Sequence, residues 1–437
     1  MSEVVQENTR IIHTSLTREQ KEAVGLLSIG TFLEYFDLML YVHMAVLLNE
    51  LFFPKTDPST AAIYSATAFC STFFFRPFGA LIFGWLGDNI GRKSTVIITT
   101  FMMSLSCIIM AIIPTYAEKG IIATVLVTFC RVIQGMASMG EAIGAELYLT
   151  EATSPPIQYP AVASVSVFIA LGMMTAVGFA SLITSNGINW RYAFFIGAIV
   201  AVIGIAARTT LRETPEFADA KRRIKLALEK TSQNPAIIES SIIWKEKANK
   251  KTAISLFLIQ CSWPACFYFA YFYCGSILTN TFGYSSTQVI KHNFILSIVQ
   301  LISVLWLMYL SYHIHPLKIV KTKLVIFSLL TLICPYLLNN IGNTHNLLIF
   351  QSIFIILISC SVPAVPIFFK HFPVFKRFTY TSVSYSLSRA FIYVVTSFGF
   401  VYITKCFGHW GVLIILLPIN IGFAFGLHHF EKLEKEV

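Results

Sequence analysis

The first long apolar segment carries two carboxylates and a phenol at helical spacing. Glu34, Asp37 and Tyr41 are separated by three and four residues, so they share one face of a helix. Ionisable side chains are costly inside a membrane span and usually face a cavity or a charged partner. Carboxylates in such a place can take up and release protons when a neighbouring cation tunes them. We therefore expect Glu34 and Asp37 to take part in proton exchange.

The fourth apolar segment carries a second set of polar side chains, Arg131, Gln134, Glu141 and Glu146. Arg131 and Gln134 share a face at about 100° per residue, and Glu141 lies at its edge. Glu146 points away from Glu141, so we do not expect both to line one cavity equally. Both are candidates for proton exchange, with Arg76 and Arg131 as cationic partners. The alternative for each charge is a structural ion pair that only locks helices together.

The second half of the chain differs in charge. No Asp or Glu occurs from residue 252 to residue 430, and the clearest charge inside an apolar segment is Arg389. Any carboxylate that carries protons must therefore come from the first half.

The seventh apolar segment is rich in aromatic residues, including Trp263 and Tyr271. Such rings can form a cage for a quaternary ammonium group, although they are also typical of packing and interfacial belts. Arg389 instead favours a carboxylate ligand, so the nature of the solute stays open. We expect solute contacts from seven residues: Tyr41, Arg76, Arg131, Gln134, Trp263, Tyr271 and Arg389.

Composition indicates a polytopic membrane protein. Of 437 residues, 56% are hydrophobic and only 12% are charged, whereas a soluble domain has about 25% charged residues. The apolar runs predict an all-α membrane protein with twelve spans of about 20 residues or more. The predicted spans are 23–48, 60–86, 94–113, 121–150, 160–184, 190–207, 252–279, 289–312, 319–338, 346–368, 379–404 and 408–428.

The loops divide the chain and orient it. The basic residues lie in alternate loops, which places those loops and both termini in the cytoplasm of a plasma membrane of the bacterial inner-membrane type. The long polar segment 208–251 separates six spans from six. The expected regions are a cytoplasmic N-terminus (1–22), a first bundle (23–207), a linker (208–251), a second bundle (252–428) and a short cytoplasmic tail (429–437).

A charged turn joins the second and third spans. It reads G-x-L-x-D-x-x-G-R-K and contains Gly84, Asp88, Gly91, Arg92 and Lys93. Its glycines allow helices to approach closely, and we expect Asp88 to act as a latch between helix ends in one conformation. The turn resembles the cytoplasmic loop between helices two and three of major facilitator superfamily transporters.

Further motifs narrow the resemblance to the metabolite–proton symporters, which include proline/betaine, 2-oxoglutarate, citrate and shikimate carriers. The motifs are Glu34-Tyr35-Phe36-Asp37, Arg76-Pro77-Phe78-Gly79, Arg131-Val132-Ile133-Gln134-Gly135 and Leu211-Arg212-Glu213-Thr214-Pro215-Glu216-Phe217. The resemblance implies the major facilitator fold and a monomer that moves a small organic solute together with a proton. It implies no cofactor beyond the proton gradient and no nucleic acid. The five residues of the charged turn are then conformational gating residues.

The sequence also departs from this family. Asn89 replaces a usual basic residue, Lys370 replaces a usual acid, and the turn 310–316 lacks the Asp and Gly of its first-half counterpart. These changes predict that most latch residues of the second half are lost. A non-transporting sensor or binding paralogue with the same fold is therefore an alternative to a transporter. An enzyme is not expected, because no metal cluster or nucleophile–base pair occurs at useful helical spacing.

Overall fold

The computed structural model describes residues 15–44, 48, 51–54, 73–209, 211–222 and 248–436, and all regular elements in these ranges are helical. In the first half these are α1 (Arg18–His43), α2 (Arg76–Asn89), α3 (Arg92–Ile112), α4 (Tyr116–Lys119), α5 (Ile121–Ala152), α6 (Gln158–Asn186) and α7 (Arg191–Arg208). In the second half they are α8 (Lys250–Gln260), α9 (Ser262–Phe267), a π-helix (Tyr268–Tyr273), α10 (Cys274–Asn280), α11 (Ser286–His313), α12 (Pro316–Asn339), α13 (Thr344–Leu357), α14 (Val365–Lys370), α15 (Val374–Phe407), a 3₁₀ turn (Gly408–Trp410) and α16 (Gly411–Glu436).

Local sequence explains where several helices begin. The hydroxyl of Thr17 caps α1 and Gln20 bonds back to the Thr17 backbone, which forms a capping box. Ser285 and Gln288 repeat this arrangement at α11. Pro316 opens α12, where a missing N–H group costs nothing.

Most predicted spans coincide with helices to within a few residues, but two do not. Residues 60–72 of the predicted second span lie outside the described residues. The predicted tenth span, 346–368, is wrong as a continuous helix, because α13 ends at Leu357 and α14 begins at Val365. Pro363 and Pro366 explain the break, since proline lacks an N–H donor and disfavours helical backbone before it. The predicted tail also differs, because α16 continues to Glu436.

Seven helical runs in the described part of the chain are long and apolar enough to cross a membrane. The count of twelve spans stays a prediction.

The described helices form two groups, and two helix pairs make most of the contacts between them. In the first group, α1 packs against α5, α6 and α7, and α3 packs against α5 and α7. In the second group, α8 packs against α15 and α16, and α12 packs against α16. The groups meet where α6 lies against α11 and where α2 lies against α15. The division falls within the predicted linker 208–251, of which residues 223–247 are outside the described ranges.

The crossing of α1 and α6 depends on a glycine. A Cβ atom at Gly172 would lie 2.5 Å from the backbone oxygen of Phe32 and 3.1 Å from the backbone nitrogen of Phe36. Backbone atoms cannot move aside as a flexible side chain can, so any side chain at this position would force the helices apart.

We therefore expect Gly172→Ala to destabilise the protein by about 1–3 kcal/mol, as overpacking typically does. The measurement is thermal unfolding of the purified protein in detergent. Gly25→Ala is the matched control, because a Cβ atom at Gly25 meets no heavy atom within 4 Å. Equal melting temperatures for the two variants would show that the α1–α6 crossing is not sterically limited.

Candidate functional site

A buried ion pair joins α1 to α5 inside the first group. Arg131 Nη1 lies 3.0 Å from Asp37 Oδ2 and donates to Gln134 Oε1 at 2.8 Å. The guanidinium also lies over the ring of Tyr41, with 4.1 Å between its carbon and the ring centroid. Cys107 of α3 approaches the other Asp37 oxygen at 3.7 Å. The charge of Asp37 is therefore compensated by contacts from two further helices, as a charge removed from water must be.

A second buried pair joins α1 to the start of α2. Arg76 Nη2 lies 3.5 Å from Glu34 Oε1, and the side chains of both residues are nearly inaccessible. The guanidinium also lies 4.9 Å from the ring centroid of Phe73. Glu34 and Asp37 thus share a helix but bind different cations, so a proton at one carboxylate need not disturb the other pair.

A cavity lies between the two groups of helices and is called the central cavity below. It is lined by residues of both halves: Tyr35, Glu146, Ser166, Ile169, Gln260, Trp263, Gln300, Val304, Leu307, Cys360, Ser361, Val362, Tyr385 and Arg389. The space is narrow, because the centre of a water molecule can occupy only about 80 Å³ of it.

Opposite charges face this cavity from opposite halves of the chain. Glu146 belongs to α5 and Arg389 to α15, and both are buried. No described cation lies within 4.0 Å of the Glu146 carboxylate, and no described carboxylate lies that close to Arg389. The two side chains are therefore placed to hold the two ends of a dipolar ligand.

Tyrosines and a tryptophan hold Arg389 in place. Its guanidinium lies over Tyr385 at 3.2 Å from the ring centroid and over Trp263 at 5.5 Å. The Tyr385 hydroxyl is 2.7 Å from the hydroxyl of Tyr35, which belongs to the first half. These contacts fix the cation and join the two halves beside the cavity. The ring of Trp263 also stacks on the ring of Phe267, with 5.1 Å between ring centroids.

The structure separates the residues that were expected to act together. Trp263 and Arg389 line the central cavity as solute-contact candidates, and Glu146 lines it as well. Four candidates lie in the two ion-pair clusters instead: Tyr41, Arg76, Arg131 and Gln134. Tyr271 lies in a side pocket that adjoins the cavity at Trp263 and Gln300. The side chain of Glu141 is outside the described part of the structure. The aromatic cage is not formed here, because the rings stack on one another and on Arg389.

Sequence reasoning missed several residues of the cavity, of which Gln260, Gln300 and Tyr385 are the most polar. The two amides occur inside apolar helices, and an isolated polar residue there was an available signal. Tyr385 lies one helical turn before Arg389, at a spacing that places it on the same face.

A network of charges ties the two halves together at the end of the molecule that carries the basic loops, called the basic end below. At its centre Glu151 of α5 binds Arg92 of α3 at 2.9 Å and Arg377 of α15 at 3.2 Å. Arg377 also binds Glu216 at 2.9 Å, and Thr214 donates to Glu151 at 2.8 Å. These five residues and Asp88 are called the Glu151 network.

Asp88 is the point where the network crosses between α2 and α15. Its two carboxylate oxygens accept hydrogen bonds from the backbone N–H groups of Phe378 and Thr379, at 3.0 and 2.9 Å. Arg92 lies 3.1 Å from it. Burial raises the pKa of the Asp88 carboxyl, while Arg92 and the two N–H donors oppose that rise. These two N–H groups belong to the second turn of α15, whose first residue is Val374.

Two glycines of the charged turn make room for close contacts at the basic end. A Cβ atom at Gly84 would lie 2.7 Å from the Cα atom of Thr379. Gly91 has a φ angle of 137° and is followed by two N–H groups, of Arg92 and Lys93, that Glu213 binds at 3.0 and 3.4 Å. Asp88 therefore bridges α2 and α15, and its role as a latch stays a prediction.

The predicted loss of most latch residues in the second half does not remove this contact. The second half contributes backbone N–H groups and Arg377, which do not depend on the missing acid at Lys370. The turn 310–316 of the second half does lack an acid. In that turn, His315 lies near Tyr159 of the first half, with 6.1 Å between the ring centroids.

Comparison with known proteins identifies relatives. A profile of the Major Facilitator Superfamily matches residues 27–392. The chain is 34% identical over 230 residues to the inner membrane metabolite transport protein YhjE of Escherichia coli K12, covering 49% of this chain and 51% of that protein. It is 35% identical over 205 residues to a proline/betaine transporter of Salmonella typhimurium, covering 45% and 41%. It is 30% identical over 225 residues to the shikimate transporter of Escherichia coli K12, covering 48% and 51%. Each match spans about half the length of the curated relative or less. These relatives belong to the group that the motifs predicted, and they are transporters rather than enzymes.

Solved structures support the fold over nearly the whole chain. The proton:xylose symporter XylE of Escherichia coli, bound to 6-bromo-6-deoxy-D-glucose, superposes with a TM-score of 0.75 at 12% identity, covering 94% of this chain and 95% of that one. The human organic anion transporter MFSD10 superposes with a TM-score of 0.64 at 15% identity, covering 94% and 99%. At these identities the likeness establishes the fold alone.

The pair of Asp37 and Arg131 yields a stability prediction. Arg131→Met leaves the Asp37 charge buried without its cation, so we expect a loss of about 3–5 kcal/mol. The double variant Asp37→Asn/Arg131→Met removes both charges and is expected to recover at least half of that loss. Thermal unfolding in detergent measures both.

Arg18→Met is the control for removing an arginine from an ion pair, because Arg18 meets Glu22 on an exposed surface and such pairs contribute only about 0–1 kcal/mol. A double variant no more stable than Arg131→Met would contradict the view that the Asp37 charge requires its partner.

Proposed function

The chain belongs to the Major Facilitator Superfamily, and from this premise we propose that it imports a small organic solute together with a proton. In this proposal the protein is a multi-pass membrane transporter that acts as a monomer and uses no cofactor beyond the proton gradient. The solute carries a carboxylate, with or without a positive charge.

The charges that face the central cavity are the observation that carries this proposal. Glu146 and Arg389 come from opposite halves and lie near the same space without forming an ion pair. Two buried ionisable groups without a counter-ion are costly, and a ligand with complementary charges removes that cost. A carboxylate is the natural partner of the guanidinium. Glu146 can accept either a proton or the cationic end of a zwitterion.

The proton pathway is proposed to lie in the first half. Glu34 and Asp37 are buried carboxylates paired with Arg76 and Arg131, and protonation of either would weaken its ion pair. Weakening a pair that joins two helices changes how those helices pack. Glu141 and Glu146 remain further candidates for proton exchange. The second half supplies no alternative, since residues 252–430 contain no acid.

Transport then requires the two helix groups to move relative to each other. The Glu151 network joins them at the basic end, and the central cavity is too narrow to admit a solute without rearrangement. Breaking the network would let the groups rock apart around the cavity, as in carriers built from paired bundles. Gly84, Asp88, Gly91, Arg92 and Lys93 are the proposed gating residues of this motion.

The relatives support the size and chemistry of the proposed solute. They include proteins named for the transport of proline/betaine and shikimate, which are small and bear a carboxylate. A competition panel of glycine betaine, L-proline, 2-oxoglutarate and citrate would identify which charge pattern this chain accepts. L-Prolinamide, which lacks the carboxylate, should not compete if Arg389 holds that group.

Uptake measurements test the proposal directly. Proteoliposomes containing the full chain, with an inward proton gradient, should accumulate a solute of the panel. A protonophore should abolish accumulation, and Asp37→Asn should reduce it at least tenfold because the variant has lost a group that exchanges protons. Glu118→Gln is the matched control, since Glu118 is an exposed carboxylate outside the cavity.

Uptake that resists both the protonophore and Asp37→Asn would reject the coupling mechanism. Solute binding without uptake or counterflow would instead support a sensor that keeps the fold, and the departures in the turn 310–316 give that alternative some basis.

A further inference from the structure

The π-helix Tyr268–Tyr273 interrupts the seventh apolar segment beside the central cavity. Such a turn bonds each residue one position further along than an α-helix does, so it rotates the side chains around it and often marks a functional site. Two of its residues, Ala270 and Tyr271, reach side chains of other helices through hydrogen bonds. Both contacts affect the orientation of the side-chain amide of Gln300, which lines the cavity.

A glutamine from α13 fixes the π-helix from behind. Gln351 is fully buried, and its amide nitrogen donates to the backbone oxygen of Ala270 at 2.6 Å. Its amide oxygen meets His292 Nε2 of α11 at 2.7 Å. Because the amide nitrogen is committed to Ala270, the amide oxygen must accept, so His292 is the donor. Gln351 and His292 thereby anchor the irregular turn to two neighbouring helices.

On the other side, Tyr271 determines which way the amide of Gln300 faces. The Tyr271 hydroxyl donates to Gln300 Oε1 at 2.8 Å, which leaves the amide nitrogen as the free end. Within the described residues the acceptor near that nitrogen is the sulfur of Met173, at 3.9 Å. A thioether is a weak acceptor, so the two N–H groups of Gln300 are still available to a stronger one.

We propose that Gln300 binds the carboxylate of the solute together with Arg389, and that Tyr271 and Gln351 are positioning residues that aim its N–H groups into the central cavity. This inference rests on the proposed function and specifies how the solute is recognised. Gln300 and Arg389 both line this cavity, and a pair of N–H donors suits an anionic group and disfavours a cationic one. Tyr271 thus acts on the solute through Gln300, not through an aromatic cage.

A double-mutant cycle tests the positioning role. Equilibrium binding of radiolabelled L-proline and 2-oxoglutarate to the purified full chain is measured in detergent, and KM and maximal uptake rate are measured in proteoliposomes. Tyr271→Phe should weaken binding about tenfold, the value of one well-made hydrogen bond to a charged group. KM should rise by the same factor, with the maximal rate within twofold. Gln300→Leu should weaken binding at least as much. In the Gln300→Leu background, Tyr271→Phe should have no further effect, because it acts through the missing amide.

Tyr273→Phe is the matched control. Tyr273 lies in the same π-helix and loses an equivalent hydrogen bond, to His409, but it does not line the cavity. Its variant should bind as the wild type does. Gln351→Leu should weaken binding in the same way as Tyr271→Phe.

The outcomes separate this inference from the proposed transport. Additive losses in the cycle, or an unchanged affinity in Tyr271→Phe, would overturn the positioning role even where uptake is proton-driven. If the binding affinities show the predicted non-additivity but neither the wild type nor any variant takes up solute, the positioning role is upheld and transport is rejected. A wild type that binds neither carboxylate would overturn it, since the inference requires an anionic ligand.

Discussion

The buried carboxylate of Glu151 is the point on which the joining of the two halves at the basic end depends. A charge removed from water must be paired, and here the partners are Arg92 from one helix group and Arg377 from the other. Asp88 adds a second crossing through two backbone N–H groups of α15. Because these contacts need close approach, a side chain at Gly84 would push α2 away from α15. The network therefore joins the two halves at the basic end, and the proposed motion requires these contacts to break.

The requirement that buried charges be paired also explains why the two halves carry different polar groups. The acids of the first half lie in ion pairs or at the cavity, while the second half offers Arg389 and uncharged donors such as Gln300. In the proposed mechanism, the second half binds the carboxylate of the solute and the first half binds the proton. The central cavity is where both meet, since Glu146 and Arg389 face it from opposite sides. The proposal therefore links proton binding and solute binding through one space and one rearrangement of helices.

The sequence predicted most of the described helices and placed Asp88 in a turn between two of them, because both depend on local patterns. Apolar length defines a span, and the charged turn specifies a close helix contact through its glycines. It did not predict that Glu146 reaches the cavity while Arg131 does not. Helical period shows which residues share a face, but the packing of both halves decides which face meets the cavity. The π-helix at Tyr268–Tyr273 was missed for a similar reason, since its register depends on Gln351, 81 residues from Ala270. The break before Val365 was readable from Pro363 and Pro366.

Distances between two spin labels at the basic end, measured by pulsed electron paramagnetic resonance, test the role of the Glu151 network most directly. Spin labels introduced as non-natural amino acids at Ile90 and Lys370 report the separation of the two halves, because both positions are exposed. Asp88→Asn loses one acceptor oxygen and the ion pair with Arg92, so the account predicts a new, longer distance population. Asn89→Ala changes the neighbouring side chain in the same turn, which bonds the backbone of Trp85 in its own helix, and it should leave the distances as in the wild type. Distances in Asp88→Asn that match the wild type would contradict the claim that this network holds the two halves together.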